Sequence, residues 1–111
     1  MVARKSKYNN EKVEYKGKTF DSKKEFEYYL FLESLEKSGV IKELRTQVPI
    51  EIQPSFTDPD GKKERAITYL ADFTYIDDQG FHVVDAKGMK TEVYKLKKKL
   101  LAFRGIKIEE V

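Results

Sequence analysis

Apolar and polar positions change period along this chain, and each change marks an element. From Asp21 to about Lys37 the apolar residues recur every three or four positions, which predicts a helix. Leu35, Tyr28, Leu32, Tyr29 and Phe26 share one side of it, and Lys23, Lys24, Glu27, Ser34 and Lys37 the other. Asp21-Ser22 offers good N-cap residues, and Ser38-Gly39 closes the helix. A second helix is expected over Glu92 to Phe103, capped by Thr91 and ended by Arg104-Gly105. Its buried stripe would be Val93, Leu96, Leu100 and Phe103, with Lys95, Lys98 and Lys99 pointing outward.

Elsewhere the period falls to two. Ala66 to Ile76 and Phe81 to Lys87 read as strands joined by the turn-rich Asp77-Asp78-Gln79-Gly80. Gln47 to Gln53 alternates as well, and Pro49 within it marks an edge or a strand start. Val13 to Phe20 reads as a small hairpin turning at Lys16-Gly17, and Ile106 to Val111 as a last strand. Val40 to Leu44 turns the chain, and Pro54 to Lys63 is a polar loop. Residues 1–12 lack periodicity and read as a basic mobile arm, leaving 13–111 as the domain. The core order is helix, strand, strand, strand, helix, strand, without internal repeats.

A chain of 111 residues suits one domain with a modest core. It is 40% apolar and 37% charged, as a globular protein with a heavily charged surface is. Having no cysteine, it has neither disulfides nor thiolate metal ligands nor a cysteine nucleophile. Any metal site must use oxygen ligands, which favours magnesium, manganese or calcium over zinc. No apolar run reaches membrane-spanning length and no signal-peptide pattern opens the chain, so a cytoplasmic protein without a membrane partner is expected. The net charge is only +3, but basic residues crowd the first 24 positions and return at Lys90, Lys95, Lys97, Lys98 and Lys99. A basic run is commonly a solvated face; interleaved with tyrosine beside a metal site it also suits phosphate.

The candidate chemistry lies in the central hairpin. With the turn at Asp77 to Gly80, Ile76 faces Phe81, Thr74 faces Val83 and Asp72 faces Asp85. Opposed residues of this kind have Cβ atoms roughly 4.5 to 5.5 Å apart, so two carboxylates repel unless something positive lies between them. Lys87, Leu70 and Val83 share their face by alternation. Half-buried acids among apolar neighbours therefore point to a divalent cation held by both, with the lysine beside it. His82 alternates to the opposite face and reads as a partly exposed strand histidine. In the first helix Glu25 falls in the middle of the apolar side, directed toward the sheet. Ser22-Lys23-Lys24-Glu25 is also a capping box, in which the glutamate bonds back to the Ser22 amide, and the residues alone leave both roles open.

Glu25, then Asp72 on one strand, then Asp85-Ala86-Lys87 on the next, resembles the PD-(D/E)xK nuclease superfamily. The runs Phe20 to Glu25, Ala66 to Phe73 and Val84 to Gly88 are similar to its small phage-encoded, resolvase-like endonucleases, and the likeness spans residues 8–111. Ala71 stands where the family's name has proline, and Asp85 where glutamate is commoner. The resemblance implies a restriction-endonuclease-like α/β core, α-β-β-β-α-β, with a mixed central sheet flanked by helices. It implies a Mg2+- or Mn2+-dependent endodeoxyribonuclease of phage origin in a bacterial host. In this scheme Asp72, Asp85 and the Ala86 carbonyl bind metal, Glu25 binds it directly or through water, and Lys87 orients or deprotonates the attacking water. Lys23, Lys90, Lys95 and Lys98 would contact DNA. A domain this small suits branched, flap or junction DNA recognised by shape, and junction resolution implies a homodimer. The alternative is a non-catalytic DNA-binding phage accessory protein that keeps the fold.

Overall fold

The computed structural model describes residues 2–5, 11–86 and 90–111. The chain begins with β1 (Val2–Lys5), β2 (Glu11–Tyr15) and β3 (Lys18–Phe20), followed by α1 (Lys23–Lys37) and β4 (Lys42–Gln53). Then come β5 (Phe56–Thr57), β6 (Lys63–Glu64), β7 (Ile67–Asp77), β8 (Gly80–Asp85), α2 (Glu92–Phe103) and β9 (Ile108–Glu110). The fold is a small α/β domain whose central sheet has the order β4-β7-β8-β9. That sheet is mixed, because β8 and β9, joined through α2, run parallel while its other neighbours are antiparallel. No helix among the described residues is long and apolar enough to cross a membrane.

Local chemistry accounts for most boundaries. Lys16 and Gly17 both have left-handed φ, +50° and +78°, which suits the two-residue turn joining β2 to β3. Ser22 caps α1, its hydroxyl accepting from the Glu25 N–H at 3.1 Å, and Thr91 caps α2 by accepting from the Tyr94 N–H at 3.1 Å. Pro49 lies in β4, which is an edge strand, where a missing N–H is tolerated. Within the loop expected over Pro54 to Lys63, Phe56–Thr57 pairs with Lys63–Glu64 as a short hairpin.

Three expectations need correction. Residues 1–12 are not wholly an arm: Val2–Lys5 pairs antiparallel with Glu11–Glu14, because the open edge of β2 offers a row of backbone groups to an extended segment. The turn expected at Val40 to Leu44 is already strand from Lys42, with a register shift between Lys42 and Arg45 and a left-handed Glu43, φ +52°. The third correction concerns α2, whose bounds are as expected but whose buried face is not. Leu101 is fully buried and Tyr94 packs beside it, whereas Val93, Leu96, Leu100 and Phe103 are 62, 58, 39 and 92% exposed. Rotation of the helix is set by those two contacts and by Arg104, whose guanidinium binds the Ile52 carbonyl at the end of β4.

The core lies on both faces of the sheet. Phe26, Tyr29 and Leu32 of α1 pack with Val13, Phe20, Phe73, Val84 and Ala86. Leu101 of α2 packs with Ile52, Tyr69, Ala71, Val83 and Ile108. Strict alternation would keep Tyr69, Ala71 and Phe73 on one face. Instead Tyr69 and Ala71 belong to the α2 side and Phe73 to the α1 side, so β7 changes face at Asp72. The ladder to β4 runs Phe73–Thr46 and then Ala71–Val48, with Asp72 and Gln47 in the step between. Gln47 takes a left-handed φ of +53° there, a conformation that costs a non-glycine residue about 1–3 kcal/mol and concentrates at functional sites.

Candidate active site

That step in the sheet governs the surroundings of Asp72. The β7–β8 register is as expected from Ile76–Phe81 to Thr74–Val83, and the paired ladder runs on to Phe73–Val84. The Asp72–Asp85 position expected next lies one step past the paired ladder, and there Asp72 Oδ2 accepts from the backbone N–H of Ala86 at 2.9 Å, just beyond the end of β8. Both aspartates are nonetheless buried. Asp85 Oδ2 accepts from the Tyr69 hydroxyl at 2.6 Å, and the Asp85 carbonyl accepts from the Val111 N–H at 3.0 Å.

Two tyrosines lie in the field of both aspartates. Burial, then the hydrogen bond to Asp85, pushes the Tyr69 phenol far above its ordinary range, and the field of Asp72 adds to it. Burial, then the bond to Glu110, raises the Tyr94 phenol, with the charges of Asp85 and Asp72 contributing. Both carboxylates thus act on both phenols, whose rings lie 6.1 Å apart.

Glu25 bonds both within the first turn of its helix and across to the sheet. It is buried at the start of α1, where Oε2 accepts from the Asp21 N–H at 3.3 Å while its own N–H donates to the Ser22 hydroxyl. Its Oε1 accepts from the Gln47 amide at 3.1 Å, which aims the carboxylate at the same irregular step of the sheet that holds Asp72. Ala86 is buried on the α1 side. Lys87 lies outside the described residues.

The parallel register pairs Asp85 with Glu110 and so joins the acids to a basic groove. Glu110 Oε2 accepts from the Tyr94 hydroxyl at 2.7 Å, and Oε1 lies 3.1 Å from both Lys90 Nζ and Lys98 Nζ. Tyr94 first, then Lys98 and Lys90, hold the Glu110 carboxyl at about 2. The groove encloses about 320 Å³ and is lined by Lys90, Tyr94, Lys95, Lys98, Lys99 and Glu110, among others. Lys95 also meets Glu92 at 3.3 Å. Lys23 is exposed at the first turn of α1.

With this geometry in view, the match to known families can be placed: residues 5–110 fit the family described as "Protein of unknown function (DUF1064)". The chain belongs to the DUF1064 family. No curated protein and no solved structure matches it. In this DUF1064 chain Gln47, Tyr69 and Glu110 join the site although sequence reasoning passed them over. Tyr69 was hidden because alternation from Asp72 directs it to the opposite face, and only the step at Asp72 reverses that. Among the described residues no group of three or more His, Cys, Asp or Glu is arranged to hold a metal ion. The donor set formed by Asp72 and Asp85 is all oxygen, in a chain without cysteine, and suits a hard cation that takes one or two carboxylates and keeps its waters.

Proposed function

We propose that this protein is a metal-dependent endodeoxyribonuclease with a restriction-endonuclease-like core. The observation that carries this reading is the pair of buried carboxylates, Asp72 within β7 and Asp85 at the end of the neighbouring β8, beside a lysine-lined groove. Burying two acids is costly, and a hydrolytic site is a physical reason to do so. The order α1-β4-β7-β8-α2-β9, with β9 parallel to β8, supports the same reading, since it follows the element order of the nuclease core that the sequence resembles.

Asp72 and Asp85 would hold Mg2+ or Mn2+, with the Ala86 carbonyl as a further oxygen and Glu25 reaching it through water. The ion supplies a nucleophilic water at neutral pH and a clamp for phosphoryl charge. Around it, Glu25 and Gln47 fix the irregular step between β4 and β7, and Tyr69 fixes Asp85. Lys87 is proposed to orient the attacking water. Lys90, Lys95 and Lys98 would hold the flanking DNA backbone, with Lys23 as a further contact. The groove presents a row of lysines suited to the phosphate backbone, which fits branched, flap or junction DNA read by its shape. Cutting both strands of a junction would take two copies of the chain.

One observation favours a second reading. Every acid of the centre accepts from a protein donor: Glu25 from Asp21 and Gln47, Asp72 from Ala86, Asp85 from Tyr69. A non-catalytic DNA-binding module would keep them as structural acceptors. Cleavage of junction, flap, duplex and single-stranded DNA with Mg2+, Mn2+ or EDTA decides between the two. Binding of DNA without metal-dependent cutting of any substrate would establish the second.

A further inference from the structure

Tyr69 has no place in the motif that suggested the site, yet its hydroxyl bonds directly to it, 2.6 Å from Asp85 Oδ2. The contact depends on the fold as a whole. Only because β7 changes face at Asp72 does Tyr69 lie on the α2 side with Val83 and Leu101, where it meets Asp85. There the ring is buried, and its hydroxyl donates to the carboxylate, which can only accept. A carboxylate that accepts on one oxygen from a fixed donor has lost its rotation, so its other oxygen has a set direction.

On the reading of Asp72 and Asp85 as a cation site, we infer that Tyr69 is a positioning residue for that cation. Its hydroxyl clamps Oδ2 of Asp85 and thereby turns Oδ1 toward the ion shared with Asp72. Carboxylates that ligate metals are themselves commonly hydrogen-bonded, and removing such a partner typically weakens metal binding about 10- to 100-fold. Tyr94 repeats the arrangement across the same rung, its hydroxyl on Glu110, whose lysine partners leave it no comparable role toward a cation.

Titration calorimetry of the full chain with Mn2+ tests this, comparing wild type with Tyr69→Phe, which removes the hydroxyl and keeps the ring. The expected result is Mn2+ binding by wild type, abolished by Asp85→Asn and weakened about 10- to 100-fold by Tyr69→Phe. Ile52→Val, in the same apolar cluster, is the control: it lowers stability while leaving Mn2+ affinity unchanged. If Tyr69→Phe binds Mn2+ as tightly as wild type, or if Ile52→Val weakens binding equally, the positioning role is overturned while the cation site stands. Absence of Mn2+ binding by wild type would overturn the site itself and this role with it. A Tyr69→Phe chain that does not fold leaves Tyr69→His, folded with a shorter donor, to show the same loss of affinity; wild-type affinity there would likewise overturn the role.

Discussion

Asp85 and Glu110 are partners on one rung of the parallel ladder, the first bonded to Tyr69 and the second to Tyr94, Lys90 and Lys98. One rung therefore carries an acid of the candidate centre and the acid that tethers the groove's cations. A lysine tethered to a carboxylate must leave it to neutralise a phosphate, so Glu110 competes with DNA for Lys90 and Lys98. Glu110→Gln is expected to strengthen DNA binding in Ca2+ and to steepen its dependence on log salt by about 1–2. Fluorescence anisotropy over a salt series measures both; an unchanged slope would remove these lysines from the phosphate path.

The exposed apolar side of α2 makes a prediction about stability. Leu101→Ala should cost about 2–5 kcal/mol, the usual result of emptying a buried leucine site. Leu96→Gln and Phe103→Gln should each stay within about 0.5 kcal/mol in dilute solution, because both side chains lie mostly in solvent. Urea denaturation orders the three, and the reverse order would mean that the helix turns its other face to the sheet.

Glutamine at position 25 can accept from the Asp21 N–H with its carbonyl while lacking the charge and second oxygen that a hard cation uses. Glu25→Gln should therefore melt close to wild type and lose most metal-dependent cleavage. Full cleavage would reduce Glu25 to a helix cap.

His82 is clasped on both nitrogens, Nε2 by Asp77 at 2.8 Å and Nδ1 by Glu109 at 2.7 Å, and its ring stacks on Tyr75. A neutral imidazole has one N–H, so two carboxylate partners select the imidazolium. Burial pulls the His82 pKa down, but the bonds to Glu109 and Asp77 outweigh it, and the net shift is upward. The His82 bond, in turn, holds Asp77 below its ordinary value. A raised histidine stabilises the fold fully below its unfolded value near 6.5, and that contribution is lost as pH rises through the folded value. Asp77 contributes above its unfolded value near 3.8 and loses its contribution as pH falls through the folded one. The melting temperature of His82→Gln should thus fall furthest below wild type between about pH 4 and 6.5, and the gap should narrow at higher pH. A gap that widens with pH would contradict the imidazolium clasp.

How much of this was legible varied with whether the cause is local. The caps at Ser22 and Thr91, the Lys16-Gly17 turn and the register from Ile76–Phe81 to Thr74–Val83 are set by neighbours in sequence, and the residues announce them. The change of face at Asp72 was not legible, because it coincides with a left-handed glutamine on the neighbouring strand that no local pattern announces, and it put Tyr69 on the α2 side. Periodicity likewise located α2 without telling which of its apolar residues meet the sheet, since Leu101 and the Val93 to Phe103 stripe are all apolar.

As a nuclease, the protein would use Asp72 and Asp85 to hold the cation that activates water against the DNA backbone. The most direct test of this is cleavage of a DNA panel of junction, flap and duplex by wild type, Asp72→Asn and Asp85→Asn, with Mg2+ or Mn2+ and with EDTA, each protein shown folded by circular dichroism. The expected result is cutting by wild type with metal only and a loss of at least about 100-fold in each asparagine variant, the scale on which removal of a catalytic electrostatic group is felt. Cleavage that persists in EDTA, or asparagine variants that cut as wild type does, would contradict it.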